Sequence, residues 1–197
     1  MTHAIRIGLI RHGVTDWNQE GRVQGATDIA LNEEGVRQAH LLARRLRGEP
    51  WQAIYSSDLS RAHRTAAILA DALKLPVQGT DERLRERAFG EAEGTTIEER
   101  LARWGTAWRE QIEGIETNED VLRRGTAALE SIASRHPGGR ILIVTHGGWI
   151  VTVLKGLLHE SELPFIGNTS VSIIERRDDE WTPVLIGCQE HLNAGPE

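Results

Sequence analysis

Short apolar runs and amphipathic stretches alternate along this chain. Residues 5–10 are mostly apolar and rich in β-branched side chains, and the run stops at Arg11-His12-Gly13. Residues 140–145 repeat the design and stop at His146-Gly147-Gly148. Both runs suit strands buried on two faces of a parallel sheet. Asn32 is a cap for a helix to about residue 47, with Val36, Ala39, Leu42, Ala43 and Leu46 on one face. A strand near 53–56 and a helix over 60–73 follow. Thr95 with Glu98 forms a capping box opening a helix to about 112, and Thr117 opens another to about 135. A helix near 149–158 and strands near 171–175 and 181–186 close the series. Residues 11–31 and 84–93 read as irregular, and a loop as long as the first is usually functional. Such alternation predicts an α/β layered fold with a mainly parallel sheet.

Ligands of such sheets collect outside the carboxyl ends of the strands. Two histidines delivered there by separate strands, one beside Arg11, point to a site for an anion. The adjoining glycines let backbone approach a ligand closely. Taken singly, each histidine reads equally well as the cap of a strand.

Composition narrows the classes. At 197 residues the chain is most simply one domain, spanning 1–197. A net charge of −6 argues against general binding to nucleic acid or anionic membranes, so an anion site must be a local concentration of positive charge. The lone Cys188 excludes an internal disulfide and fits a reducing compartment. No basic stretch followed by a long apolar run opens the sequence, and none is long enough for a membrane span. A cytoplasmic protein is expected.

Further motifs follow in order. Arg11-His12-Gly13 leads through Trp17-Asn18, Arg22 and Gln24-Gly25 to Asp28. Next come Ser56-Ser57-Asp58-Leu59-Ser60-Arg61-Ala62 with Thr65-Ala66, then Leu84-Arg85-Glu86 with Phe89-Gly90 and Glu93-Gly94. Glu116-Thr117, Val144-Thr145-His146-Gly147-Gly148 and Asn168-Thr169-Ser170 complete the set. This succession resembles the histidine phosphatase superfamily, also called the phosphoglycerate mutase-like family, from about residue 5 to residue 172. The resemblance implies a three-layer sandwich, a mainly parallel central sheet flanked by helices. It also implies phosphoryl transfer through a phosphohistidine, with no metal.

A phosphoryl group in transfer carries charge on three equatorial oxygens, so positioning and electrostatic stabilisation dominate. Arginine supplies permanently charged, forked donors, and Arg11 and Arg61 are the candidates. A neutral imidazole is a nucleophile, and neighbouring arginines favour the neutral form. The resemblance gives the nucleophile role to His12 and phosphoryl hydrogen bonding to His146. It gives the general acid to Glu86, although Glu82, Glu91 and Glu93 lie close and spacing alone does not separate them. Asn18, Gln24, Gly25 and Gly147 match phosphate-contacting positions. Arg22 matches too, or simply holds the loop. His63 stands where some members carry arginine. Trp17 reads as packing. Trp104 and Trp108, with Ile97, Leu101 and Ile112, form a helical stripe that reads as core, although the matching region roofs the site in the family. His3, His40, His136, His159 and His191 lack ligand spacing and are expected to be surface or structural.

A metal-independent phosphomonoesterase is the leading expectation, with a small-molecule phosphate ester as partner and no cofactor. A phosphoglycerate mutase, for which 2,3-bisphosphoglycerate would be the cofactor, is the alternative. The glycolytic mutases carry an inserted basic segment, whereas residues 95–117 here are compact, with Arg100, Arg103 and Arg109 as bases. A non-catalytic phosphate-binding module is disfavoured by the full set of residues, and a metal-dependent hydrolase by the absence of clustered ligands in the sequence. Sugar-phosphate and α-ribazole phosphate remain open as specific substrates. A homodimer is compatible with the resemblance.

Overall fold

Six strands form one sheet in the order β3-β2-β4-β1-β5-β6. They are β1 (Ile5–Arg11), β2 (Ala53–Ser56), β3 (Val77–Thr80), β4 (Arg140–Thr145), β5 (Val171–Arg177) and β6 (Glu180–Cys188). The first four run parallel, while β5 and β6 continue the sheet antiparallel. The structure is a computed structural model describing residues 4–178 and 180–193. His3 lies outside those residues.

Strand periodicity sorts the core into two layers, because successive side chains point to opposite faces. Ile7, Leu9, Ile141 and Ile143 pack against α6 (Asn118–Arg135) and α7 (Gly147–Leu158). Ile10, Leu142 and Val144 pack against α2 (Glu33–Leu46) and α3 (Ser60–Leu73). Helices on both faces explain why β1 and β4 read as nearly continuous apolar runs. Among the described residues, no helix is long and apolar enough to cross a membrane.

Several local expectations need correction. Strand β3 had no signal in the sequence: it is an edge strand with mostly exposed side chains, so no buried pattern marks it. The loop after β1 contains a one-turn helix, α1 (Asp16–Gln19), closed by a Thr15/Asn18 capping box. The box expected at Thr95/Glu98 sits one residue later, at Thr96/Glu99. The single helix expected to about residue 112 is two, α4 (Ile97–Trp104) and α5 (Trp108–Gln111). Gly105 separates them with φ 67, a backbone conformation that favours glycine and does not continue a helix. Ile97 and Leu101 are each 43% exposed, so only the Trp104, Trp108 and Ile112 end of that stripe packs inward. A short α8 (Glu190–Asn193) follows β6.

Candidate active site

Adjacent parallel strands bring the two histidine turns together. Arg11 of β1 lies in register with Thr145 of β4, and the His12 amide donates to the Thr145 carbonyl at 2.9 Å. His12 and His146 are therefore each one residue past a strand end, with ring centroids 5.1 Å apart. Both side chains are buried.

The His12 ring is oriented by its own backbone. Nδ1 lies 2.7 Å from the Gly13 carbonyl oxygen. A carbonyl can only accept, so Nδ1 carries the proton and Nε2 keeps its lone pair. Burial, then the charges of Arg61 and Arg11, hold this imidazole well below its ordinary pKa. His146 is held down by burial and by the same arginines and His12. Neither of its ring nitrogens has a hydrogen-bond partner among the described residues.

Arg61 is fully buried on α3, with its guanidinium donating to the carbonyls of Thr27 and Gly25 at 2.8 and 2.7 Å. Desolvation lowers its pKa to about 10. One turn further along α3, Thr65 accepts from the Gly13 amide at 3.1 Å and donates to the Arg61 carbonyl at 2.8 Å. Thr65 thus ties the histidine loop to the arginine helix. Arg11 donates to the Ile166 carbonyl at 2.8 Å. Its Nε, like that of Arg61, is buried without a partner among the described residues. Buried donors of this kind are costly unless something accepts from them.

Glu86 is seated on the first turn of α7. Its carboxylate accepts from the amides of Gly148 at 2.9 Å, Trp149 at 2.8 Å and Arg87 at 2.9 Å. A helix N-terminus is a natural seat for a carboxylate. The two glycines after His146 have separate reasons. A Cβ at Gly148 would lie 2.7 Å from Glu86 Oε1, and one at Gly147 would lie 3.1 Å from Arg11 Nε. Both absences make room for a functional group rather than for a turn.

The other acidic candidates point elsewhere. Glu93 accepts from the amides of Ala26, Thr27 and Phe89 and clamps the loop around Gly25. Glu82 is exposed beside Arg85, and Glu91 is exposed. Only Glu86 of the four reaches the first turn after His146.

Asn18 and Gln24 have their oxygens committed, the first to the Thr15 amide and Asn168, the second to the Thr15 hydroxyl. Each therefore offers a ligand only its amide donors. Gly25 sits at φ 55 with its carbonyl turned to Arg61, so its contribution is to fix that arginine. Arg22 bonds Glu20, Glu99 and the Gly94 carbonyl and holds the loop to α4. Trp17 packs against Gly94, as expected of a packing residue. His63 is exposed on α3. His136 pairs with the Tyr55 hydroxyl, and His159 ends α7 in a left-handed conformation.

Three groups near the site carried no assigned role in the sequence reading. Arg124 of α6 donates to the carbonyls of Arg83, Arg85 and Glu86 and pairs with Glu116, pinning the acid segment. Its signal was there: it falls on the helix stripe of Val121 and Ala128, where a charged residue needs an inward partner. Thr145 donates to the Leu84 carbonyl at 2.6 Å. Thr169 is buried at φ 56, unusual for a β-branched residue, and its amide donates to the carbonyls of Arg11 and His12. Its hydroxyl lies 3.1 Å from Nε2 of the buried His191.

A cleft of ≈ 810 Å³ opens from Arg11, Glu86 and Gly148 toward α6 and α7. Trp108, capped by Arg100 at 4.9 Å and Arg109 at 4.1 Å, is buried beside it, and Arg109 lines the cleft. Neither Trp104 nor Trp108 lines it. Among the described residues, no cluster of His, Cys, Asp and Glu is arranged to hold a metal ion.

The model of the histidine phosphatase superfamily (branch 1) matches residues 7–189. The chain belongs to this superfamily. It is 35% identical to a metal-independent phosphoserine phosphatase of Arabidopsis thaliana, with 95% of this chain and 83% of that protein covered. It is also 37% identical to a probable phosphoglycerate mutase, GpmB, of Yersinia pestis (strain Pestoides F), covering 90% and 87%. The solved structure of Bacillus stearothermophilus YhfR superposes with a TM-score of 0.89 at 33% identity, covering 95% of this chain and 99% of that one. Superfamily membership makes the protein an enzyme of phosphoryl transfer, a phosphoric monoester hydrolase by kinship, with mutases among its relatives.

Proposed function

We propose that the protein hydrolyses a small-molecule phosphate monoester, without metal or cofactor, through a phosphohistidine on His12. The observation that carries this reading is the His12 ring, buried and neutral, with Nδ1 bonded to the Gly13 carbonyl and Nε2 free to attack. Arg11 and Arg61 neutralise the phosphoryl oxygens, and His146, the Asn18 and Gln24 amides and the Gly147 backbone add donors. Nε2 attacks phosphorus, and the P–O bond to the alcohol breaks. Glu86 gives its proton to the departing oxygen. Water then attacks phosphorus, the P–N bond breaks, and the water's proton returns to Glu86 as phosphate leaves. A positioned acid contributes ~10²–10⁴-fold to such a step.

The mutase reading uses the same phosphohistidine but hands it to a second hydroxyl, with 2,3-bisphosphoglycerate as primer. The GpmB likeness favours it. The compact α4–α5 segment disfavours it, because Arg100 bonds Thr95 and Arg103 lies over Trp104, leaving Arg109 as the one base of that segment lining the cleft. Supplying 3-phosphoglycerate, the bisphosphate and EDTA separates the two readings. Phosphate release should exceed 2-phosphoglycerate formation; dominant isomerisation would favour the mutase. A cytoplasmic location fits the lone cysteine.

A further inference from the structure

The cleft beyond the phosphoryl pocket has a lining of two kinds. Part of it is cationic, from Arg87, Arg109 and Lys155. Arg87 is anchored by Asn118 and by Thr152 Oγ1, the latter at 2.9 Å, while its Nε is buried without a partner among the described residues. Burial lowers its pKa, and the charges of Arg109 and Arg124 add to the effect against the pull of Glu86 and Glu116. Two guanidiniums lining one cleft form a receptor for an anion. Arg109 is exposed but pre-set, its guanidinium stacked 4.1 Å from the Trp108 ring centroid. The rest of the lining is largely apolar, from Leu122, Val151 and Phe165. Phe165 is 81% exposed, a large aromatic beside a carbonyl, that of Ile166, which holds Arg11. At ≈ 810 Å³ the cleft takes a ligand far larger than a three-carbon phosphoacid.

We propose that the alcohol half of the natural ester is amphipathic, a carboxylate on a bulky apolar body, with Arg87 and Arg109 reading the carboxylate while Leu122, Val151 and Phe165 hold the body. This rests on the phosphatase reading above. A carboxylate suits the planar, paired donors of a guanidinium. A single negative charge also suits a cleft whose lining includes Glu119.

Four primary alkyl esters with similar leaving groups test the proposal: propyl phosphate, 3-phosphooxypropanoate, 3-phenylpropyl phosphate and 4-(3-phosphooxypropyl)benzoate. The benzoate should exceed both 3-phenylpropyl phosphate and 3-phosphooxypropanoate by at least ~10-fold in kcat/KM, a modest ~1.4 kcal/mol for each feature. Arg109→Gln should cut the ratio of benzoate to phenylpropyl ester several-fold, chiefly through KM, and Phe165→Ala should cut the ratio of benzoate to propanoate. Arg87→Gln, read by the same ratio, covers the case in which Arg109→Gln fails to fold. Equal kcat/KM across the set, or a carboxylate preference that survives both arginine variants, would each overturn the proposal. Steady release of phosphate from propyl phosphate, with label on His12, would leave the phosphatase reading standing in those cases. Failure to hydrolyse any of the four would sink both.

Discussion

The two strand–histidine turns begin from one sequence design and end in different chemistry. After β1 the chain enters a loop, and the His12 ring is tied through Nδ1 to the Gly13 carbonyl. One lone pair remains, on Nε2. After β4 the chain passes directly into α7, and His146 becomes the residue that precedes the helix. Its ring nitrogens are unpartnered among the described residues, and the following glycines admit Arg11 and Glu86. The strand end therefore fixes where a histidine stands, while the segment after it fixes what the ring can do. A loop that folds back on the ring selects a tautomer and leaves a nucleophile. A helix instead gathers an acid at its N-terminus and leaves the histidine as a donor.

The sharpest way to break this comparison is to remove each ring in turn. His12→Ala should lose at least ~10⁴-fold in kcat, because the covalent step has no other nucleophile. His146→Gln, which keeps a donor, should lose only ~10²–10³-fold, the worth of one donor to a developing oxyanion. It should still form phosphoenzyme. Equal losses in single-turnover assays would erase the distinction between the turns.

Glu86 tests the helix side of the comparison. Glu86→Gln should slow phosphorylation by alkyl phosphates ~10²–10⁴-fold and by p-nitrophenyl phosphate less than ~10-fold, since a good leaving group needs little protonation. Equal slowing of both would transfer the acid role away from Glu86. The same comparison on Glu93→Gln should show no leaving-group dependence, because that carboxylate holds the Gly25 loop.

The smallest effect concerns charge. Burial holds His12 and His146 well below 6.5 and His191 down at about 4. Unfolded, each titrates near its ordinary ~6.5. Below that value the unfolded chain binds more protons than the folded one, so these groups cost stability progressively as pH falls. His191→Gln should reduce the stability lost between pH 7 and pH 5 by ~1–2 kcal/mol, measured by urea unfolding. In NMR titration both site rings should remain neutral at pH 6. Protonation of either near 6.5 would contradict the burial that holds both rings neutral.

Much of this was legible because the sheet centre writes itself into sequence. The β1 and β4 runs are buried on both faces, and His12, His146, Arg11 and Arg61 stand at their ends or on a helix packed beside them. Glu86 was singled out by a family motif, and only the seat on α7 separates it from Glu82, Glu91 and Glu93. The remainder was written in contacts between distant segments. Strand β3 is exposed and had no alternation to read. Arg87, Arg109 and Lys155 come from three segments and share only the lining of the cleft. His191 and Thr169 lie 22 residues apart and join beneath the strand end.

The central claim is that β1's turn, by its own carbonyl, prepares Nε2 of His12 as the nucleophile. Rapid quenching of the wild-type enzyme with a labelled ester, followed by mapping of the phosphohistidine isomer, tests it most directly. The account predicts acid-labile, base-stable label on His12 alone, as the Nε2 isomer, and none in His12→Ala. Label on His146, or the Nδ1 isomer on His12, would contradict it.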